Sequence, residues 1–432
     1  MASVRLPCAA AVSFLLIKEK EFKRKGAFPL SSRSKYYCWA LAMPLLVILM
    51  LCGCANMEEI ESYSDPSEII LPEGAIVTTT ETTVETTTMT TNVYTPPNDP
   101  VAVSVLENMT LYEKAAQMML VSCMDEDLAK TYSAKGAGGL CLFAKPFEGK
   151  TPEQVKVMTE SFQTAARYPM LISVDEEGGT VNRVSINSML REKKFQSPKA
   201  VYDAGGWGMI RTDTEEKAAF LRNLGINSNL APVCDVPTSQ WDYIAPRSFG
   251  TDATETASYV MAVVNVMHSR KLGSTLKHFP GYGGSSDTHQ NIAYDNRDYQ
   301  TFLDRDFKPF RAGIDAGADS VMVSHNIVKC MDPDQPASLS PEVHRILREE
   351  LQFRGVIISD DLGMQAITQF TNGENPAVAA VKAGNDMLCY SDFDGAVAAI
   401  TAAVEAGEIE ESQIDASVLR ILYWKRSIGI LK

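Results

Sequence analysis

Five short apolar segments of this chain run straight into side chains that can do chemistry. Leu171-Ile172-Ser173-Val174 leads into Asp175-Glu176-Glu177-Gly178-Gly179, and the segment 229–233 leads to Asp235. A third ends in Lys277-His278-Phe279-Pro280-Gly281-Tyr282-Gly283 and a fourth in Ser324-His325-Asn326. A fifth, Gly355-Val356-Ile357-Ile358-Ser359, ends in Asp360-Asp361. One acidic residue after a strand is often a helix N-cap. Five such ends carrying charge or imidazole are harder to explain by capping and point to one catalytic face. Carboxylates on different strand ends can do acid/base or nucleophilic work. Asp360 follows an apolar run, so it is partly desolvated and fixed in place, which suits a nucleophile. Asp361 is expected to cap the next helix.

Asp287-Thr288-His289 lies in a Gly/Ser-rich loop after the third of these segments. At i and i+2 of an extended segment both side chains point the same way. The carboxylate can then hold the imidazole in one tautomer and stabilise its cation, which makes His289 a candidate proton donor. Gly281, Gly283 and Gly284 lack the GxxxxGK[ST] pattern of a phosphate cradle and read as turn glycines. His278, His289 and His325 stand on different elements without metal-ligand spacing, so neither metal nor cofactor is expected.

The elements that must position these groups alternate. Apolar runs rich in Val, Ile, Leu or Met predict strands near 117–122, 138–143, 170–174, 229–233, 273–278, 319–324, 355–359 and 386–390. Amphipathic patterns predict helices over 151–166, 213–224, 252–270, 301–316, 340–352, 375–383, 393–405 and 411–427. Thr151-Pro152-Glu153 and Ser340-Pro341-Glu342 supply a cap followed by Pro at the first helical position. Eight strands alternating with helices fit an α/β fold of the (β/α)8 TIM-type barrel, whose active face lies at the strand C-termini. A doubly wound sheet is the competitor, but no GxGxxG follows the first strand.

The N-terminal part is of another kind. Net charge is −14, which excludes the basic footprint of a nucleic-acid binder. Residues 1–35 nevertheless hold eight Lys/Arg and two Asp/Glu, a net of +6, leaving −20 for the remainder (−14 minus +6). Arg33 and Lys35 precede an apolar run from Tyr36 to Leu51, and Leu51-Cys52-Gly53-Cys54 follows. This reads as a signal segment with a bacterial lipobox over 1–54, lipid-modified at Cys54, with an uncleaved anchor as the alternative. Either places the body outside the cytoplasm, on the outer face of the cell membrane. Residues 55–100 are rich in Thr and Pro and read as a disordered linker. About 45 extended residues reach roughly 150 Å at about 3.3 Å each. The catalytic domain is expected over 101–432, as a monomer. Its five cysteines, Cys123, Cys141, Cys234, Cys330 and Cys389, show no CxxC spacing and read as small buried hydrophobes with at least one free thiol.

The segment Lys277 to Gly283 with Asp287-Thr288-His289 resembles the signature of family-three glycoside hydrolases of the β-N-acetylhexosaminidase branch. The resemblance extends to Val174–Gly179, Ala231-Pro232-Val233-Cys234-Asp235-Val236, Arg247-Ser248-Phe249-Gly250 and Ser359-Asp360-Asp361-Leu362-Gly363-Met364. It implies a retaining mechanism through a covalent glycosyl-enzyme. By motif position it implies Asp360 as nucleophile, His289 as acid/base and Asp287 as its partner. It further implies that Asp175, Arg183, Arg247, Lys277 and His278 hold the sugar at the cleavage point, using charge-assisted hydrogen bonds to hydroxyls. An imidazole can protonate the leaving oxygen and then take a proton from water. Tyr282 stands where the family frequently has histidine, and Thr180 where arginine is common. No second α/β domain is expected, so the barrel supplies the whole site.

The leading expectation is therefore an exported, lipid-anchored β-N-acetylglucosaminidase acting on peptidoglycan- or chitin-derived glycans. Phosphorolysis is a close alternative, because a histidine acid/base repels phosphate less than a carboxylate does. A broader β-glucosidase is another, although that branch generally takes its acid/base from a further domain. A non-catalytic glycan-binding lipoprotein would keep the sugar grip and lose Asp360, Asp287 or His289, all of which are present. A solute-binding protein would need two lobes rather than one barrel.

Overall fold

The computed structural model describes residues 99–432 apart from 285–292, 365, 366, 368 and 372. The leader with Cys54, the linker up to residue 98, and Asp287 and His289 lie outside the described residues.

Eight parallel strands close into a barrel. They are β1 (Met119–Cys123), β2 (Gly139–Leu142), β3 (Leu171–Val174), β4 (Ser228–Asn229), β5 (Gly273–Phe279), β7 (Ser320–Val323), β9 (Val356–Ser359) and β10 (Met387–Tyr390), and β10 pairs back to β1. A separate two-stranded ladder, β6 (Tyr294–Asp295) and β8 (Ile327–Val328), ties the return from β5 to the segment after β7. The barrel and its strand positions are those expected from the apolar runs. A parallel strand under helices is buried on both faces, so it reads as continuous apolar sequence rather than alternation. Every residue of β2, β3, β5, β7 and β9 is buried.

Two departures have local causes. The apolar run 229–233 predicts a longer β4 than the one observed, which closes after Asn229. Pro232 has no N–H to donate, so the ladder is interrupted there. The chain still follows β5 through Thr275 N to Ala231 O (2.9 Å) and Cys234 N to Lys277 O (2.6 Å). The helix expected over 213–224 begins much earlier, at Pro198, and runs to Asn223. Gly205, Gly206 and Gly208 disguise its first half as loop. Gly206 sits at φ +62°, a left-handed conformation that kinks the helix, while Val201 and Ile210 on either side are buried.

Helix starts follow the cap chemistry. Thr151 Oγ1 accepts from Gln154 N (3.4 Å) and Gln154 Oε1 accepts from Thr151 N (2.8 Å), with Pro152 at the first position. Ser340 caps the helix from Pro341 through its side chain alone, accepting from Val343 N (3.3 Å). Four of the cysteines are buried as expected and Cys330 is exposed; all five are free thiols. No helix among the described residues is long and apolar enough to cross a membrane.

Candidate active site

Asp175, Arg183, Arg247, Lys277, His278 and Asp360 come from barrel strands and the loops after them, and all six line one cavity of about 470 Å³ at the C-terminal mouth of the barrel. That volume lies within the roughly 300–1,000 Å³ typical of small-molecule sites. Glu177, Tyr243, Thr180 and Asp361 line it too.

β3 delivers the acidic run. Successive side chains at the strand end alternate in direction, so Asp175 and Glu177 face the cavity while Glu176 points away. Glu176 is fully buried and accepts from the backbone N–H groups of Arg183 (2.9 Å) and Val184 (2.7 Å) and from the Ser185 hydroxyl. Its carboxylate thus folds the loop that returns Arg183 over the mouth. Asn229 of β4 fixes the start of this run, accepting from Glu176 N (2.9 Å) and donating to Glu176 O (3.1 Å).

β5 delivers the cations. Its register with β7 shifts between Leu276 and Phe279, and both Lys277 and His278 reach the cavity. Lys277 Nζ lies 2.6 Å from Asp175 Oδ1 and 2.7 Å from Glu177 Oε1. Arg247 forks onto Glu177, with Nε to Oε2 at 2.9 Å and Nη2 to Oε1 at 2.7 Å. Glu177 and Lys277 are each only 2% exposed at the side chain. Burial alone would raise the Glu177 carboxyl, yet Lys277 and Arg247 hold it well below the ordinary range. Burial likewise works against the Lys277 ammonium, and Asp175 and Glu177 overcome it and push it up. Glu177, Lys277 and Arg247 therefore stay charged together, a preset grip for hydroxyls.

His278 is oriented from behind. Its Nδ1 donates to Asp235 Oδ2 (2.7 Å), and its Nε2 accepts from Arg247 Nη2 (3.2 Å). Asp235 also accepts from the backbone N–H of His278 (3.0 Å) and of Tyr282 (2.7 Å), so one buried carboxylate sets both ring and loop. Tyr282 is 1% exposed and packs edge-on to His278 at 5.0 Å between ring centroids. Tyrosine at this position is a wall behind the ring rather than a group offered to the mouth. Arg183 reaches Asp175 at 3.6 Å and lies 5.2 Å over the Phe143 ring. Its Nε is buried without a hydrogen-bond partner among the described residues.

β9 ends at the cavity floor. Asp360 N donates to Val323 O (2.9 Å), which continues the β7–β9 ladder to the nucleophile candidate itself. The neighbouring Asp361 does different work. It accepts from Gly363 N (2.8 Å) and from the Ser122 hydroxyl of β1 (2.9 Å), so it locks the turn after β9 to the barrel; residues 365, 366 and 368 of the segment it is expected to cap lie outside the described residues. His325 turns its ring nitrogens to Ser338 Oγ (2.7 Å) and Asp361 O (3.0 Å).

Sequence reasoning names six of these residues and misses the roles of two. Glu177 is the hub of the grip, and Asp235 the orienter of His278. The signal for Glu177 is its two-residue parity with Asp175. Asp235 is visible as a polar strand end, but the linear chain offers no partner to suggest its task.

Residues 110–423 match the glycosyl hydrolase family 3 N-terminal domain. The chain is 37% identical over 260 residues to a beta-hexosaminidase of Xanthomonas campestris pv. campestris (strain B100), covering 59% of this chain and 78% of that protein. A beta-hexosaminidase of Idiomarina loihiensis is 36% identical over 296 residues, 66% of this chain and 86% of the relative. Among solved structures, a family 3 β-N-acetylglucosaminidase from Paenibacillus sp. str. FPU-7 superposes with a TM-score of 0.70 at 31% identity. That similarity covers 74% of this chain and 63% of the other.

Proposed function

The chain belongs to glycosyl hydrolase family 3, and from that premise we propose that it is a retaining exo-β-N-acetylglucosaminidase that releases terminal N-acetylglucosamine from peptidoglycan- or chitin-derived glycans. The observation that carries this reading is the meeting of Asp360 with the Asp175, Lys277, Glu177 and Arg247 grip around one cavity. The relatives' names support the N-acetylhexosaminide as the substrate class.

The grip holds the hydroxyls of the terminal sugar and presents its anomeric carbon to the floor. The Asp360 carboxylate attacks that carbon and forms a glycosyl ester while the bond to the leaving oxygen breaks. His289, paired with Asp287, gives its proton to that oxygen. In the second step the same imidazole takes a proton from water, and the water oxygen displaces Asp360. The domain sits outside the cytoplasm, held to the membrane by a lipid on Cys54 and lifted from it by the Thr/Pro-rich linker.

The test is turnover of p-nitrophenyl β-N-acetylglucosaminide and of the matching β-glucoside by the purified chain, each with and without phosphate. Release from the N-acetyl substrate, lost in Asp360→Ala and strongly reduced in His289→Ala, supports the reading. Release that requires phosphate makes the second step phosphorolysis. Preference for the β-glucoside, or undiminished turnover in Asp360→Ala, overturns it. Labelled palmitate incorporated by wild type and not by Cys54→Ser tests the anchor.

A further inference from the structure

We propose that Trp241 is a stacking platform for the leaving group, and that it makes the enzyme favour substrates whose aglycone is itself a sugar ring. This rests on the hydrolase reading above and adds a specificity-determining residue to it.

Trp241 is 85% exposed, the most exposed large apolar side chain among the described residues. Scattered apolar side chains on a surface need no explanation, but this one is held by an unusually stiff turn. Asp242 takes four hydrogen bonds across it: from Thr238 N and Thr238 Oγ1 (both 2.6 Å), Ser239 N (2.9 Å) and Ser239 Oγ (3.0 Å). Trp241 N itself donates to Ser239 Oγ (3.1 Å). The backbone under the indole is fixed while the ring is left in water.

The turn is also fastened to the active site on two sides. Tyr243 and Pro246, a few residues on, line the cavity. The Tyr243 ring lies edge-on to Tyr282 at 6.5 Å, and Tyr282 lies edge-on to His278 at 5.0 Å. Ile244 is fully buried with Val233 and Tyr282. An aromatic chain therefore runs from the sugar grip to Tyr243, two residues from Trp241 in the same turn. On its other side the turn abuts the loop after β5: a Cβ on Gly284 would stand 2.7 Å from Thr238 Oγ1 and 3.6 Å from Asp242 Oδ2. The close fit seats the turn against the loop that follows β5.

The chemistry that suits this placement is a pyranose. With the terminal sugar held by Asp175, Lys277 and Arg247 over Asp360, the leaving group must project out of the mouth toward the rim. A pyranose has a face of C–H groups bordered by hydroxyls, which covers a flat aromatic and keeps its polar edge wet. A rigid aromatic offers such contact at low conformational-entropy cost. A protein partner is the poorer fit, since Thr238, Ser239, Gln240 and Asp242 around the ring are polar and form no contiguous apolar patch.

The test compares wild type, Trp241→Ala and Trp241→Phe on two substrates. One is the β-1,4-linked N-acetylglucosamine disaccharide. The other is methyl β-N-acetylglucosaminide, whose leaving group has no ring. The alanine variant should lose about tenfold more kcat/KM on the disaccharide than on the methyl glycoside, equivalent to about 1.4 kcal/mol. The loss should sit in KM, and phenylalanine should restore most of it. Equal losses on both substrates, or none on the disaccharide, overturn the platform. Calorimetric titration with the disaccharide separates this from the underlying reading. If wild type cleaves neither substrate, the hydrolase reading fails. Weaker disaccharide binding by Trp241→Ala then still supports the platform, and unchanged binding refutes it.

Discussion

Glu177→Gln removes the one negative charge that Lys277 and Arg247 share and keeps the side chain's shape. The contacts at stake are three, at 2.7, 2.9 and 2.7 Å, between groups that water barely reaches. Removing one partner of a buried ion pair costs about 3–5 kcal/mol, because the other charge is left desolvated. Asp175 still neutralises part of Lys277, so the lower end applies, about 3 kcal/mol. For a domain larger than 250 residues this corresponds to a drop in Tm of about 5 °C. The pH dependence has a definite sign. The folded state holds the Glu177 carboxyl well below its ordinary 4.5, through Lys277 and Arg247 acting against burial. Its stabilisation is therefore fully present above about pH 4.5 and is lost as pH falls through the folded-state value. Melting curves of wild type and variant should be about 5 °C apart at pH 7 and converge in acid. Activity should fall as well, by about 10- to 100-fold in kcat/KM, since Lys277 and Arg247 lose the group that aims them at the substrate. A variant that melts within about 1 °C of wild type at pH 7, or a gap that does not change with pH, would refute the assignment of Glu177 as the hub.

Asp235→Asn should leave the fold intact and lower kcat/KM about 10- to 100-fold, because the amide no longer selects the His278 tautomer whose Nε2 accepts from Arg247; kinetics alongside a melting curve check this, and full activity would count against the orienting role. Gly281→Ala should destabilise by about 1–3 kcal/mol, since Gly281 sits at φ +124° and a Cβ there would meet Asp306 Oδ1 at 2.6 Å; urea unfolding measures it. Lys425→Met should raise stability at neutral pH. Burial pushes the Lys425 ammonium down from 10.5 to about 7, and its Nζ donates to Gln117 Oε1 at 2.6 Å. Between pH 7 and 10.5 the unfolded chain holds a proton that the folded chain has released, so wild-type stability rises with pH in that window. The variant's advantage should shrink by about 2 kcal/mol between pH 7 and 9, since one proton released across each pH step of 1 is worth about 1.36 kcal/mol; denaturation curves that stay parallel would count against it.

The barrel was legible from the sequence because parallel strands buried on both faces leave a plain mark: short apolar runs such as 171–174 and 355–359, each ending in polar residues. Asp175, Lys277, His278 and Asp360 were legible for the same reason, since a charged group directly after such a run has few positions other than the barrel mouth. Arg183 and Arg247 came only with the family resemblance, because they lie in loops whose course no periodicity records. The first half of the helix from Pro198 was hidden, as Gly205, Gly206 and Gly208 carry loop propensity; Gly205 and Gly206 do leave helical geometry, and the helix continues on both sides of that kink, where Val201 and Ile210 are buried.

By itself, then, the sequence determined the alternation of strands and helices, the chemical types gathered at the strand ends, and the Asp287-Thr288-His289 pattern beside them. The tertiary structure alone decided how those groups divide their work. Of three consecutive carboxylates, Glu177 became the hub of the grip and Glu176 a loop anchor, because the pleat turns one into the cavity and the other away from it. Asp235, 43 residues from His278 along the chain but 2.7 Å from it in space, became the orienter only when the segment after β4 met β5. Hydrogen bonds and ion pairs act over about 3 Å, and the contacts that assign these roles join residues dozens of positions apart.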